Sequence, residues 1–252
     1  MRALPIFKSH YSLGRSILTL EAQGSSVKDG PDSIIDICHD NDIKTLPLVD
    51  DAMTGYLQAY RNCKEAKIKL AFGLRMSVCS DLSEKNESQL QKTHKAIIFV
   101  KNKKGYAKLI KLSTKASLEG FYYTPRTDYK SIAEVWDDKD LSLCIPFYDS
   151  FIYKNLLACS TCVPEFDFTK PVLMVESNGL PFDDMLKNRV LEYAEKNSNE
   201  VMKSKSIFYK NREDFKAYLT FRCINNRSTL DKPEIEHMCS DEFSFESWKE
   251  NQ

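Results

Sequence analysis

The stretch Ala96-Ile-Ile-Phe-Val100, followed by Lys103–Leu118, decides the fold class of this 252-residue chain. The first part is a short continuous apolar run, which is typical of a strand covered on both faces. The second part has the periodicity of an amphipathic helix. Its inward positions are predicted to be Tyr106, Leu109, Ile110 and Thr114. One apolar run and one helix make a strand–helix unit.

The same alternation recurs along the chain. Seven apolar runs are predicted as strands: Ala3–Phe7, Thr45–Val49, Lys69–Gly73, Ala96–Val100, Leu141–Pro146, Pro171–Val175 and Ser206–Tyr209. Helical periodicity begins at Pro31 and recurs over Ala52–Lys67, Phe182–Met202 and Asp214–Ile224, whereas polar Ser80–Thr93 is predicted as an exposed loop. Strands that alternate with helices predict an α/β fold with a parallel sheet. Seven such units favour a closed or nearly closed barrel, with active groups after the strand ends.

Composition excludes several classes of function. Lys plus Arg and Asp plus Glu both number 36, and this balance argues against a generally basic nucleic-acid-binding protein. With 8 glycines and 9 prolines, Gly-rich cofactor loops are not expected. No apolar run approaches the roughly 18 residues of a membrane span, and the first residues do not resemble a signal peptide. We therefore expect a cytoplasmic protein without membrane contact, with its 8 cysteines mostly buried as free thiols.

The chain is predicted to divide near residue 230. Residues 1–230 are predicted to form the barrel, and residues 231–252 an acidic, aromatic C-terminal extension. The extension carries Phe243, Phe245 and Trp248 among its acids. Because exposed aromatic side chains are good interface anchors, the extension is expected to dock on the barrel or on a partner.

Several segments carry a family resemblance. They are Lys101–Tyr106, Leu109–Ser113, Leu118–Asp128, Tyr11–Leu13, Leu48–Asp51 and Asn178–Pro181. Taken in their order along the chain, they resemble the PHP (polymerase and histidinol phosphatase) domain at the start of bacterial DNA polymerase III alpha subunits. The most specific piece is Gly120-Phe-Tyr-Tyr-Thr-Pro-Arg126. The resemblance covers nearly the whole chain and implies a distorted seven-stranded (β/α)7 PHP-type barrel. In the family the polymerising domain follows this module, so this chain alone is expected not to synthesise DNA.

The resemblance also implies where metal ligands would lie. PHP domains of this family bind up to three metal ions through His, Asp, Glu and Cys, a set suited to phosphoester hydrolysis. The matching positions here are Ile6, Lys8, Asp50, Asp51, Arg75, Lys95, Phe147, Ser206 and Phe208. One family carboxylate is kept at Asp50, and cations or aromatic rings occupy several other positions. We therefore expect no family-like metal centre and no cofactor.

A reduced site is the alternative. The candidate ligands near strand ends are His10, Asp50, Asp51, His94 and Glu176. They would hold a single Mn or Zn ion, whereas the other interpretation is an ion-paired polar cluster without metal. Cys159-Ser-Thr-Cys162 is half of a zinc site with no second pair, so it is interpreted as structural thiols.

A basic segment runs from Lys95 to Lys130. Its candidate DNA-binding residues are Lys101, Lys103, Lys104, Lys108, Tyr122, Tyr123 and Arg126. Lysines would contact phosphates while aromatic rings stack on the bases of single-stranded DNA. The alternative is a solvated helix face.

Three functions remain open. The first, implied by the resemblance, is a non-catalytic replication module that serves as a structural or docking subunit for a DNA polymerase catalytic subunit or a proofreading exonuclease. The second is a divergent metal-dependent phosphoesterase or 3′–5′ exonuclease on single-stranded DNA. The third is a decoy that binds and inhibits a component of the replisome.

Overall fold

The computed structural model describes residues 3–27, 30–231 and 240–251. The strands are β1 (Leu4–Phe7), β2 (Thr45–Asp50), β3 (Lys69–Cys79), β4 (His94–Val100), β5 (Arg126–Asp128), β6 (Leu141–Ile145), β7 (Val172–Val175) and β8 (Val201–Ile207). The helices are α1 (Ile34–Asp40), α2 (Tyr56–Glu65), α3 (Glu87–Lys92), α4 (Lys103–Leu118), α5 (Tyr129–Val135), α6 (Phe151–Leu157), α7 (Asp183–Asn197), α8 (Phe215–Asn226) and α9 (Phe245–Glu250). The predicted fold class is confirmed: the protein is an α/β barrel of seven strands with β5 as an additional strand.

The chain forms two compact units. The first comprises Met1–Phe72, Glu176–Asp183 and Lys203–Gln252. Its central strand is β1, which pairs in parallel with β2 on one side and with β8 on the other. The register places Phe7 opposite Leu48 in β2 and Ile207 in β8, and all three side chains are buried. This parallel core is as the apolar runs predict.

The second unit departs from the predicted parallel sheet. It comprises Gly73–Val175 and Asp184–Met202. Strand β4 runs antiparallel to both β3 and β6, whereas β3–β5 and β6–β7 are parallel pairs. The prediction of an all-parallel sheet is therefore wrong for β4. Hydrophobic periodicity reports which faces are buried but carries no information on strand direction.

Three polar stretches also depart from their predicted structure. Strand β3 continues beyond Gly73 to Cys79. The predicted strand ended too early because the polar residues Arg75 and Ser77 interrupt the apolar run, although both are buried. The predicted loop Ser80–Thr93 contains the short helix α3. Strand β5 was not expected, since its sequence is polar although all three of its residues are buried. Polar residues that are buried by tertiary contacts leave no apolar signal.

Local chemistry explains where α4 begins and which face it buries. The Asn102 side chain accepts a hydrogen bond from the backbone N–H of Gly105 and caps the helix. The buried positions are Gly105, Leu109, Leu112 and Ala116. Ile110 and Thr114 are exposed, so their predicted inward placement is wrong.

Residues 240–251 belong to the first unit and pack on its other elements. The Phe208 N–H donates to the Phe243 carbonyl oxygen at 2.9 Å, and the Trp248 indole donates to the Ala3 carbonyl oxygen at 2.8 Å. Phe243 and Phe245 are buried. The remainder of the predicted extension, residues 232–239, lies outside the described residues. In the described part of the chain, no helix has the length and apolar character that crossing a membrane requires.

Candidate functional site

Asp50 ends β2 and is fully buried. Its carboxylate accepts hydrogen bonds from the Ser9 N–H at 2.9 Å, the Ser9 hydroxyl at 2.7 Å and the Ser12 hydroxyl at 2.8 Å. Burial raises the pKa of Asp50, while Lys8 and the two serines act in the opposite direction. The carboxylate is thus held by protein donors on both of its oxygens.

Asp51 is held by a cation that stands at a family ligand position. The Lys8 ammonium lies 3.2 Å from the Asp51 carboxylate, and the two side chains are 8% and 25% exposed. The Asp51 N–H donates to the Ser12 hydroxyl oxygen at 2.9 Å. His10, the neighbouring candidate ligand, has its Nδ1 3.3 Å from the Leu18 carbonyl oxygen and its ring against Tyr11.

Glu176 directly follows β7 and is buried. It accepts hydrogen bonds from the Ser206 N–H at 2.9 Å, the Ser206 hydroxyl at 2.7 Å and the Asn178 side chain at 2.9 Å. Burial raises its pKa, and the bonds from Ser206 and Asn178 partly offset this effect. The second late ligand position, Phe208, stacks on Tyr218 and Phe243.

In the second unit, two positions that the family resemblance assigns to metal ligands carry cations that contact protein groups. Arg75 on β3 forms an ion pair with Asp149. Lys95 on β4 donates from its ammonium to the Ser77 hydroxyl oxygen at 2.7 Å. Phe147 is fully buried and packs edge-on against Tyr148. These side chains supply positive charge or apolar surface, neither of which binds a metal ion.

His94 is a buried side chain of the second unit. Its Nε2 lies 2.7 Å from the Tyr129 hydroxyl oxygen. Its pKa falls to about 4 because burial disfavours the charged imidazolium. At neutral pH the ring is therefore uncharged, and it packs among aromatic neighbours that include Phe151.

The residues present do not fit a metal centre of the family's kind. Two or three metal ions require clustered anionic or imidazole ligands. Across residues 3–27, 30–231 and 240–251, no three side chains of His, Cys, Asp or Glu come together in a metal-binding arrangement. Cys162 donates from its Sγ to the Lys92 carbonyl oxygen at 2.9 Å, while Cys159 is exposed.

The basic segment is only partly available to a ligand. Arg126 is fully buried, and it donates to the carbonyl oxygens of Gly120 and Glu84, so its side chain is engaged within the protein and its contact with DNA stays a prediction. Glycine is required at position 120, because a Cβ there would collide with the Arg126 carbonyl oxygen. This close approach gives the specific Gly120–Arg126 motif a structural reason.

The other predicted DNA-binding residues differ in their surroundings. Lys108 pairs with Asp140 at 2.8 Å, and the Lys101 ammonium donates to the Asp138 carbonyl oxygen at 2.8 Å. The remaining candidates show accessible side chains: Lys103 and Lys104 are exposed, Tyr122 is half-buried and Tyr123 is 76% exposed. Single-stranded DNA contact by these residues stays a prediction.

Sequence reasoning missed the groups that contact the residues at the candidate positions. Ser9, Ser12, Asn178 and Asp149 all make contacts at the candidate positions. Serine and asparagine give no distinctive sequence signal. The Ser9–Ser12 spacing beside the Tyr11–Leu13 segment was an available clue, because both residues lie in the segment that follows β1.

Comparison with known proteins agrees with this arrangement of elements. The PHP domain family matches residues 24–159, which is more than half of the chain. A DNA polymerase III subunit alpha from Borreliella burgdorferi is 27% identical over 208 residues, covering 78% of this chain and 18% of that protein. The subunit alpha from Treponema pallidum is 24% identical over 216 residues, covering 81% and 18%. The one from Chlamydia muridarum is 36% identical over 89 residues, covering 34% and 7%.

The chain belongs to the PHP domain family. Its likeness to the DNA polymerase III alpha subunits lies over the PHP region at low identity. The chain spans less than a fifth of the length of these relatives.

Proposed function

We propose that this PHP domain is non-catalytic and acts as a structural or docking part of a polymerase III-type replication assembly. In this proposal it is cytoplasmic, holds no resident metal ion, and contacts a polymerase catalytic subunit or a proofreading exonuclease. The relatives named DNA polymerase III subunit alpha support the replication setting.

One observation carries the non-catalytic part of the proposal. Three former ligand positions, Lys8, Ser206 and Arg75, now donate to the carboxylates of Asp51, Glu176 and Asp149. A carboxylate removed from water needs such donors when no metal ion satisfies it. Lys8, Ser206 and Arg75 therefore hold these acidic side chains in place. A metal ion that binds the same carboxylates would have to displace the three donors.

Metal-dependent hydrolysis is the test of this part. The purified chain is mixed with Mn²⁺ or Zn²⁺, and both its melting temperature and its cleavage of a labelled single-stranded oligonucleotide are measured. We expect neither metal to raise the melting temperature, and no cleavage above a protein-free control. Asp50→Asn is compared with Asp167→Asn, which changes an exposed loop carboxylate.

The opposite outcome supports the enzyme alternative. Metal-dependent cleavage that Asp50→Asn abolishes and Asp167→Asn retains would make the chain a divergent phosphoesterase or exonuclease. Equal cleavage by both variants would instead indicate a contaminating nuclease and would leave the non-catalytic proposal standing.

Docking is tested separately, with separately purified polymerase III alpha lacking its own PHP domain and with the proofreading exonuclease. We expect co-elution with one of them in size-exclusion chromatography. Co-elution with neither contradicts the docking role. Co-elution accompanied by inhibition of a reconstituted replicase supports a decoy in place of a working subunit.

DNA contact by α4 and the following loop is a further element of the proposal. Lys103, Lys104 and Tyr123 are exposed and lie on one continuous segment with Tyr122. Fluorescence anisotropy with a single-stranded oligonucleotide should show a salt-dependent affinity that falls in the Lys103→Gln, Lys104→Gln double variant. No binding at low salt by the unaltered chain would remove DNA from the list of partners.

A further inference from the structure

A cleft of about 460 Å³ lies in the second unit, between α6 and α7. Its volume is within the range of small-molecule binding sites. One wall is apolar and comes from α6, with Phe151 and Leu156, while the other wall comes from α7. The cleft is separate from the former metal-ligand positions of this unit, none of which lines it.

The end wall of the cleft is fixed in place. The Asn155 side chain accepts a hydrogen bond from the Cys162 N–H at 2.7 Å and donates to the Cys162 carbonyl oxygen at 2.9 Å. This reciprocal pair anchors the loop that follows α6. Between the two walls, the rings of Phe151 and Tyr193 meet edge-on with their centres 5.0 Å apart. The cleft is therefore preformed, which lowers the cost of binding.

The α7 wall presents more donors than acceptors, and its one carboxylate, Glu192, is paired with Arg189. Arg189, Glu192, Tyr193 and Lys196 follow one face of α7 at helical spacing and line the cleft. Arg189 pairs with Glu192 at 2.8 Å. In the described part of the chain, neither the Tyr193 hydroxyl nor the Lys196 ammonium has a hydrogen-bond or ion-pair partner.

We propose that this cleft binds a small amphiphilic carboxylate, with the apolar body against Phe151 and Leu156 and the carboxylate at Tyr193 and Lys196. A hydroxyl and an ammonium one turn apart are both donors, and a carboxylate accepts from both at once. A cationic ligand would meet Lys196 with like charge. The inference is independent of the replication role.

In the test, 3-phenylpropanoate is titrated into the full chain, and its binding is measured from the NMR chemical shifts of the protein. The comparison ligands are 3-phenylpropanol, which has the same body without charge, and 3-phenylpropylamine, which has the opposite charge. We expect a dissociation constant in the millimolar range for the carboxylate, weaker binding of the alcohol, and the weakest binding of the amine.

Matched variants assign the carboxylate's position. Lys196→Gln and Tyr193→Phe should each weaken carboxylate binding by about three- to tenfold and leave alcohol binding unchanged. Tyr193→Phe keeps the ring contact with Phe151. Lys187→Gln, an exposed lysine of α7 outside the cleft, should have no effect.

The proposal is overturned by absence of saturable carboxylate binding in the millimolar range, by equal binding of all three probes, or by an equal loss in the Lys187 variant. Unaltered spectra of the ligand-free variants establish that each one is folded.

Discussion

Two regions of this molecule treat their acidic side chains in different ways. In the first unit, Asp50 and Glu176 are buried and take hydrogen bonds from hydroxyl, amide and backbone groups. In the second unit, Asp149 is matched by the cation Arg75. An acidic side chain removed from water can thus be held either by neutral hydrogen-bond donors or by an ion pair.

The two solutions have different energetic consequences. Neutral donors compensate only part of the free-energy cost of burying a charged carboxylate. Burial accordingly raises the pKa of both Asp50 and Glu176. An ion pair cancels charge, but removal of one partner leaves the other charge stranded. Substitutions that remove only charge should therefore be costly at the Arg75–Asp149 pair and mild at Asp50 and Glu176.

The largest effect is expected for Asp149→Asn. The change should lower the free energy of unfolding by about 2–4 kcal/mol, because the Arg75 side chain is only 9% exposed and loses its anionic partner. Asparagine is chosen because Asp149 has a positive φ of 60°, which Asn tolerates. Urea unfolding measures the change, with Asp167→Asn as the exposed control. Equal stability of the two variants would contradict the pairing argument.

Lys8→Met should have a smaller effect, about 1–2 kcal/mol. The variant removes the cation beside Asp51, but that carboxylate is 25% exposed and regains water. Lys44→Met is the control, since its pair with Asp42 is exposed on both sides and should contribute little. Thermal unfolding of both variants at low and high salt gives the comparison. A loss as large as that of Asp149→Asn would show that exposure does not govern these pairs.

Glu242→Gln tests an acid whose pKa is lowered, whereas the pKa values of Asp50 and Glu176 are raised. Burial alone would raise its pKa, but hydrogen bonds from Ser247, Arg212 and Lys205 outweigh this and hold it at about 2. The variant should lose about 1 kcal/mol at neutral pH. Because the folded-state pKa is depressed, this contribution is present above the ordinary pKa of 4.5 and is lost as pH falls towards 2. A loss that stays constant down to low pH contradicts the assignment.

The smallest effect, and one of opposite sign, is expected for Glu176→Gln. Because burial raises the folded-state pKa, the carboxylate's contribution to stability falls as pH rises through that pKa. The amide can keep its oxygen on the Ser206 N–H and donate to the Ser206 hydroxyl oxygen. The variant should match the unaltered chain at low pH and become the more stable of the two as pH rises above the ordinary pKa of 4.5. Urea unfolding across pH measures the difference, and destabilisation that grows with pH would show that the ionised form is required.

Much of the fold could be predicted from the sequence. Six of the seven apolar runs lie mostly on observed strands, whereas Ser206–Tyr209 overlaps only the end of β8 (Val201–Ile207). Helix α4 has the predicted bounds Lys103–Leu118. The Gly120–Arg126 motif and the order of the other segments indicated the family. The residue types Lys8, Arg75 and Phe208 at positions that the resemblance assigns to metal ligands could also be read directly, because residue type is a local property of the chain.

Tertiary structure alone decided the partners of the candidate site. Arg75 and Asp149 are 74 positions apart, and Ser206 lies 30 positions beyond Glu176. The direction of β4 and the burial of the polar strand β5 likewise could not be predicted from the sequence. Sequence periodicity records how often a residue faces the interior, whereas pairing depends on strand order and register, which only the folded chain defines.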